Sequence, residues 1–368
     1  MNDLGSLVQQ TADRLAAQQV GVVVTALAGG AVEIRGAGST TAGPAGEAPG
    51  PRTLFEIGSV TKVFTSLALA RLVLAGSAGL DEPLADVLAG ALPPGARVPA
   101  RNGTPIALRH LATHTSGLPR LPAGMLLPAL LHPNKPDPYR DCTGEMLLAG
   151  LARTRLRAVP GRGFRYSNLG AGLLGLALAH RAGTGYEELV TREICEPLGL
   201  ADTVIGVDGE RAARLARGHT PGRRPVPGWQ LADLAGAGGL RSTAADLAVL
   251  LRAQLASGTG GDSPLAPAIA LTRQVEHKVN PFAWVHLGWL GHRLHPRQGG
   301  HLQIWHNGET GGFRSLVAFD PEKQVGVIVL ANTRRSVDPG GIALLRTLQN
   351  SYPAPAAEQR RRAADGRE

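Results

Sequence analysis

In FEIGSVTKVFTSLALARL, Phe55 to Leu72, Ser59 and Lys62 stand three residues apart at the head of a mostly apolar run. Residues i and i+3 share one face of a helix, so the two side chains come within hydrogen-bonding reach and the amine can take the hydroxyl proton. Lysine is scarce in this chain. Of 38 Lys+Arg, only Lys62, Lys135, Lys278 and Lys323 are lysines. Arginine stays protonated at any workable pH, whereas a desolvated lysine sheds its proton and becomes a base. Val63, Phe64 and Leu67 supply the desolvation, and the free N–H groups of a helix N-terminus favour a developing oxyanion. The chemistry this points to is nucleophilic attack by a serine. The same spacing also arises by chance, with the lysine laying its stem along apolar surface.

Two other stretches offer partners. In GRGFRYSNLG, Gly161 to Gly170, Tyr166 and Asn168 flank Ser167, and in an extended loop they would point to the same side. A phenol there can relay protons, and an amide can orient a carbonyl or the lysine; alone, Tyr-x-Asn also fits an ordinary turn. In IWHNGETGGFRSLVAF, Ile304 to Phe319, His306-Asn307-Gly308 leads through a glycine-rich turn into an apolar strand. Gly308 would let a substrate lie close against the strand, and a backbone N–H there can complete an oxyanion hole. His306 fits a structural role equally well.

The elements that must position these groups show in the periodicity. Leu4, Leu7, Val8, Leu15 and Ala16 recur at helical spacing, and VGVVVTAL and AVEIRGAG read as a hairpin turning at Ala28 to Gly30. RSLVAF and QVGVIVLAN form a second hairpin around Asp320 to Lys323. Between these ends lie helical patterns at Val60 to Ala75, LGAGLLGLALAHR, YEELVTREI and TAADLAVLLRAQL, the last with Thr243 as N-cap. The expected fold is therefore α/β plus all-α: one antiparallel sheet built from both chain ends, flanked by helices, with an inserted helical region and a cleft at the junction. The expected division is a discontinuous sheet domain over 1–58 and 296–352, a mostly helical domain over 59–295, and a disordered tail over 353–368.

Composition narrows the function classes. A net charge of +9 would suit nucleic acid, but aromatics are 4%, no zinc-finger spacing occurs, and part of the excess lies in the tail EQRRRAADGRE. No nucleic-acid partner is expected. Cys142 and Cys195 lack a CxxC or a histidine-rich neighbourhood, so neither a disulfide framework nor a metal site is expected, and no cofactor is required. The first residues show no signal-peptide pattern, and no apolar run approaches the ~18 residues of a membrane span, so a cytoplasmic protein without membrane contact is expected. Nothing in the sequence fixes an oligomeric state. GAGLLG at Gly170 to Gly175 matches GxGxxG but follows YSNL rather than an apolar strand, which favours close helix packing. Ser116 in THTSGLP has no base at fixed local spacing, and His114 reads as structural.

Taken in order, SVTK, YSN and HNG resemble the serine β-lactamase and penicillin-binding-protein superfamily, in particular its class C-like serine hydrolases of the esterase and D-aminopeptidase type. LRHLATHTSGLP, PLGLADT and GAGGLRSTAADLA look like scaffold segments of that family, so the resemblance covers roughly Leu54 to Asn332. It implies a β-lactamase/transpeptidase-like fold and a Ser59 acyl-enzyme, with Lys62 and Tyr166 moving protons. It also implies that Asn168, His306 and Gly308 bind the substrate, and that the backbone N–H groups of Ser59 and Glu309 form the oxyanion hole. Two departures bear on substrate: His306 replaces the frequent lysine, and Glu309 puts a carboxylate where small residues are usual, both arguing against anionic β-lactams. The expected activity is hydrolysis of a small-molecule ester or amide. Transacylation by the same acyl-enzyme, a β-lactamase or D-peptidase activity, and a non-catalytic binding role are the alternatives. Arg120 to Met146 is expected to border the cleft, with Trp284, Trp289 and Trp305 as walls.

Overall fold

The computed structural model describes residues 3–43, 46–122, 137–257 and 263–352. Helix α1 (Leu4–Ala16) turns Leu4, Val8 and Ala12 inward and leads into strand β1 (Gly21–Ala28), which pairs antiparallel with β2 (Ala31–Gly38). Gly29 and Gly30 both take positive φ, 58° and 82°, as a two-residue hairpin turn between right-twisted strands requires.

β1 is buried along its whole length because it is central. Its alternation sends Val22, Val24 and Ala26 to one core with α1, and Val23 and Leu27 to the other. The rest of the sheet comes from the far end of the chain: β5 (Glu276–Asn280), β6 (Ala283–His286), β7 (Leu290–Arg293), β8 (Leu302–Glu309), β9 (Arg314–Asp320) and β10 (Val325–Ala331). The order across its eight strands is β2-β1-β10-β9-β8-β7-β6-β5, antiparallel throughout. Between β9 and β10, Asp320 Oδ1 accepts the N–H groups of Glu322 and Lys323 at 2.9 and 3.1 Å and closes the expected turn. Helix α6 (Asp338–Ser351) packs beside α1 on the outer face through Leu344, Leu345 and Leu348.

The expected architecture, a sheet from both chain ends with helices inserted, matches this arrangement. The sheet draws its strands from residue 276 onward, however, rather than from 296. The strands at 276–293 are short, mostly polar at the edge and broken by a bulge between Lys278 and Asn280, so they carry little alternation. The tail 353–368 lies outside the described residues.

On the inner face, β3 (Leu54–Glu56) leads through a 3₁₀ turn, Gly58–Val60, into α2 (Thr61–Leu74). α2 is buried almost all round, as befits a helix at the centre of the helical region. Burial of Phe64 and Leu67 contributes roughly 1.5–3 kcal/mol each. Helix α3 (Gly144–Ala152) and helix α4 (Asn168–Ala182) stand beside it. A Cβ on Gly175 would lie 2.9 Å from Gly236 Cα, so GAGLLG is indeed a close-packing surface. Strand β4 (Arg241–Thr243) pairs with β3 and runs into α5 (Ala244–Ala256), where Thr243 accepts the Asp246 N–H at 3.1 Å as the expected N-cap. Among the described residues no helix is long and apolar enough to cross a membrane.

Candidate active site

Ser59 sits in the 3₁₀ turn and Lys62 in the first turn of α2, and Lys62 Nζ lies 2.9 Å from Ser59 Oγ. The amine also donates to the Ala237 carbonyl at 2.6 Å. Thr65 Oγ1 donates to the Gly236 carbonyl at 2.8 Å, and the Leu240 N–H to Thr61 Oγ1 at 3.1 Å. The segment preceding β4 is thus stitched along α2, which fixes the lysine in one orientation. Lys62 is buried, and burial is the main reason its ionisation falls below 10.5. Arg120 adds to that depression, while Tyr166 works against it and is outweighed.

Tyr166 lies with its ring centroid 5.0 Å from Lys62 Nζ. It is sandwiched between the His114 ring, at 4.4 Å, and the His306 ring, at 6.3 Å. His114 takes φ +55° and its Nδ1 accepts the Ser167 N–H at 3.3 Å, so the histidine expected to be structural is the platform on which Tyr166 rests. Asn168 differs from expectation in its setting. It is the first residue of α4, not part of an extended loop, because Ser167 caps that helix: its Oγ accepts the Gly170 N–H at 2.9 Å and donates to the Pro119 carbonyl at 2.6 Å. Asn168 nevertheless lines the cleft beside Ser59.

His306 and Glu309 come from the far end of β8. Beyond Trp305 this strand no longer pairs with β7 and lies instead against the 3₁₀ turn of Ser59. Gly308 allows that approach: a Cβ there would collide with the Ile57 carbonyl oxygen and Ser315 Oγ. The space a side chain would take is filled by the protein's own backbone rather than by a substrate, and Gly308 thereby sets the distance from strand to nucleophile. Gly58, at φ +49°, fits from the other side, where a Cβ would fall 2.7 Å from Glu309 N. The Thr310 N–H bonds to the Phe313 carbonyl, so by the alternation of an antiparallel pair Glu309 turns its N–H away from β9, toward Ser59.

The Glu309 carboxylate pairs with Arg314 across the turn at 2.9 Å. Its repulsion of an anionic substrate is correspondingly reduced, and that part of the sequence argument weakens. His306 Nδ1 donates to the Asn307 carbonyl at 2.8 Å, and burial together with Lys62 lowers the ring's ionisation to about 3, so the imidazole is neutral. Arg120 is exposed at the mouth, its Cζ 5.4 Å from the Tyr166 ring centroid.

The cleft walls differ from expectation. Trp289 is buried against Phe319, Trp284 donates to His286, and Trp305 donates to His292, all on or under the sheet and outside the cleft lining. The walls are Tyr139 and Trp229, with Leu231 and Leu234 beneath. Tyr139 falls within the stretch expected to border the cleft; residues 123–136 of that stretch lie outside the described residues. Trp229 had only a lone aromatic in a Pro- and Gly-rich stretch to mark it. Ser116 is buried and accepts the Leu118 N–H at 3.4 Å, and both cysteines are buried.

Comparison with known proteins adds lineage to this geometry. The family model described as Beta-lactamase matches residues 8–350. The D-alanyl-D-alanine-carboxypeptidase/endopeptidase AmpH of Escherichia coli K12 is 31% identical over 295 residues, 76% of this chain and 70% of that protein. The Homo sapiens protein named Putative beta-lactamase-like 1 is 32% identical over 333 residues, 85% of this chain and 62% of that one. A crystal structure of a beta-lactamase/D-alanine carboxypeptidase from Yersinia pestis, complexed with citrate, superposes with a TM-score of 0.77 at 26% identity, covering 94% of this chain and 99% of that one.

Proposed function

Since the chain belongs to the beta-lactamase family, whose characterised fold and serine-hydrolase chemistry frame the site, we propose that it hydrolyses a small-molecule ester or amide through a Ser59 acyl-enzyme. The observation that carries this reading is the 2.9 Å contact between Ser59 Oγ and a buried Lys62 amine whose proton is held weakly. Neutral Lys62 takes the hydroxyl proton as Oγ attacks the substrate carbonyl carbon. The oxygen becomes an oxyanion between the backbone N–H groups of Ser59 and Glu309. As the intermediate collapses, the bond to the leaving alcohol or amine breaks, and the leaving atom takes the proton through Tyr166. Water then attacks the acyl-enzyme, gives up its proton by the same route, and the acid departs as Ser59 regains its hydrogen. Asn168 and His306 orient the substrate, His306 as a neutral ring. The test is product analysis on a panel of esters, amides and β-lactams with competing amines: released acid supports hydrolysis, and transfer product dominating at low millimolar amine contradicts it.

Specific observations favour a second reading, cleavage of an amide that carries a carboxylate. Arg120 presents a cation at the mouth, Glu309 is paired with Arg314, and AmpH and the Yersinia protein are named as D-alanine carboxypeptidases. Release of D-alanine from a D-Ala-D-Ala peptide at a rate above that of neutral esters would select it.

The pH profile follows from the base. Activity needs Lys62 unprotonated, so kcat/KM for a neutral ester rises with pH through the lysine ionisation. Because burial lowers that ionisation, the rising limb is expected below 10.5. His306, ionising at about 3, adds no step at neutral pH. A stopped-flow profile with its midpoint at or above 10.5 contradicts the assignment.

A further inference from the structure

One residue grips the chain on both sides of Tyr166. The His114 carbonyl accepts the Arg165 N–H at 2.7 Å, and its ring Nδ1 accepts the Ser167 N–H at 3.3 Å. The His114 ring lies 4.4 Å from the Tyr166 ring, tilted by 39°, and Phe164 supports it at 6.1 Å and 80°. The two segments stay joined beyond this point: the Gly161 N–H donates to the Thr115 carbonyl at 2.9 Å, the Arg157 N–H to the Gly117 carbonyl at 2.9 Å, and Ser167 Oγ to the Pro119 carbonyl at 2.6 Å. Tyr166 is thus held at its neighbours and at its ring.

Backbone conformation singles out the same residue. Among the described residues Asn102, His114, Arg223, Ala232 and Gln324 are the non-glycine residues with positive φ, and of these His114 alone is buried. A left-handed conformation is costly for a residue with a Cβ, persists only where its surroundings fix it, and gathers at functional sites. At φ +55° both the carbonyl and the ring of His114 reach the 165–167 segment. Because a backbone N–H can only donate, Nδ1 carries no proton and the neutral ring keeps its hydrogen on Nε2. Burial above all, with Lys62, His306 and Arg120 adding to it, holds the ring's ionisation well below 6.5, so the acceptor persists at neutral pH. The phenol this fixes has its ring centroid 5.0 Å from Lys62 Nζ. A misplacement of about 1 Å in such a group can cost about 10²-fold.

We propose that His114 is a positioning residue of the reaction, clamping Tyr166 through the N–H groups on either side and through its own ring, and so keeping the phenol aligned with the leaving group. The proposal rests on Tyr166 supplying the leaving group's proton. p-Nitrophenolate departs as a stable anion, whereas trifluoroethoxide needs a proton as it leaves, so a misaligned Tyr166 is felt by the second ester far more than by the first. The test is kcat/KM for p-nitrophenyl acetate and trifluoroethyl acetate in the wild type, His114→Gly and His114→Asn, each also combined with Tyr166→Phe, with circular dichroism to check folding. His114→Gly keeps the positive φ freely and removes both ring and acceptor. His114→Asn tolerates that φ and offers its side-chain oxygen in place of Nδ1. His114→Gly is expected to lose ~10-fold or more on trifluoroethyl acetate beyond any loss on p-nitrophenyl acetate, and His114→Asn to recover part of it. In the Tyr166→Phe background this selective loss is expected to shrink below ~2-fold, as for two residues acting through one group. If His114→Gly does not fold, His114→Asn decides by the same cycle, with a selective loss of ~3-fold or more expected from the missing ring. Equal loss on both esters, no loss, an asparagine variant no better than the glycine one, or a selective loss that persists without the Tyr166 hydroxyl overturns the proposal. A Tyr166→Phe variant that leaves the ratio of the two esters unchanged counts instead against the proton role of Tyr166 on which it rests.

Discussion

Replacing Lys62 by arginine is expected to lower kcat/KM for an activated ester by about 10² to 10⁴-fold, the usual contribution of a positioned general base. The substitution keeps the charge and removes the chemistry, because a guanidinium does not give up its proton at any pH the fold withstands. Lys62 stands buried between Ser59 Oγ and the Ala237 carbonyl, where its own burial favours the neutral amine. A permanent cation there cannot accept the serine proton, and the broader head also presses on the segment stitched along α2. Steady-state kinetics with a thermal melt separates the two effects. A folded Lys62→Arg variant within tenfold of wild type contradicts the role of Lys62 as base.

Ser59→Ala is expected to cost more, on the order of 10⁶-fold in kcat, as removal of a nucleophile does where the rest of the site stays intact. Residual turnover would come only from the oxyanion donors and from binding. The change removes one buried-edge hydroxyl from a 3₁₀ turn whose shape is set by Gly58 and the approach of β8, so the fold is expected to persist. Active-site titration alongside kinetics excludes wild-type carry-over. Turnover within 10²-fold of wild type in Ser59→Ala contradicts the assignment of the nucleophile.

The part of this site that was legible in the sequence is the part fixed by local geometry. Ser59 and Lys62 meet because three residues on a helix make nearly a full turn, and the scarcity of lysine marked one of them as special. The two hairpins were legible because β1, β9 and β10 alternate against two cores and their turns carry glycine or aspartate. The strands at 276–293 were not, since an exposed edge strand needs no apolar face. Asn168 belongs to a helix rather than a loop because Ser167 caps α4, and a serine three residues before Gly170 is the one local signal of that cap. Gly308 reads as a close-approach glycine in the sequence, but what comes close is Ile57, about 250 positions earlier, and no local pattern pairs two residues so far apart. The walls leave no trace in the sequence for the same reason: Trp229 is held by Glu56, Arg241 and, through Gln230, Asp137, and such non-local contacts have no periodicity.

If Ser59 is the nucleophile, a substrate acyl group becomes bonded to its Oγ. Intact-mass spectrometry after rapid acid quench of the protein with an activated p-nitrophenyl ester, followed by peptide mapping, tests it most directly. One added acyl mass per chain is expected, located on the peptide containing Ser59, absent in Ser59→Ala and decaying as the acid is released. An adduct on the peptide containing Ser116, or turnover of the ester with no covalent adduct at any quench time, would contradict it.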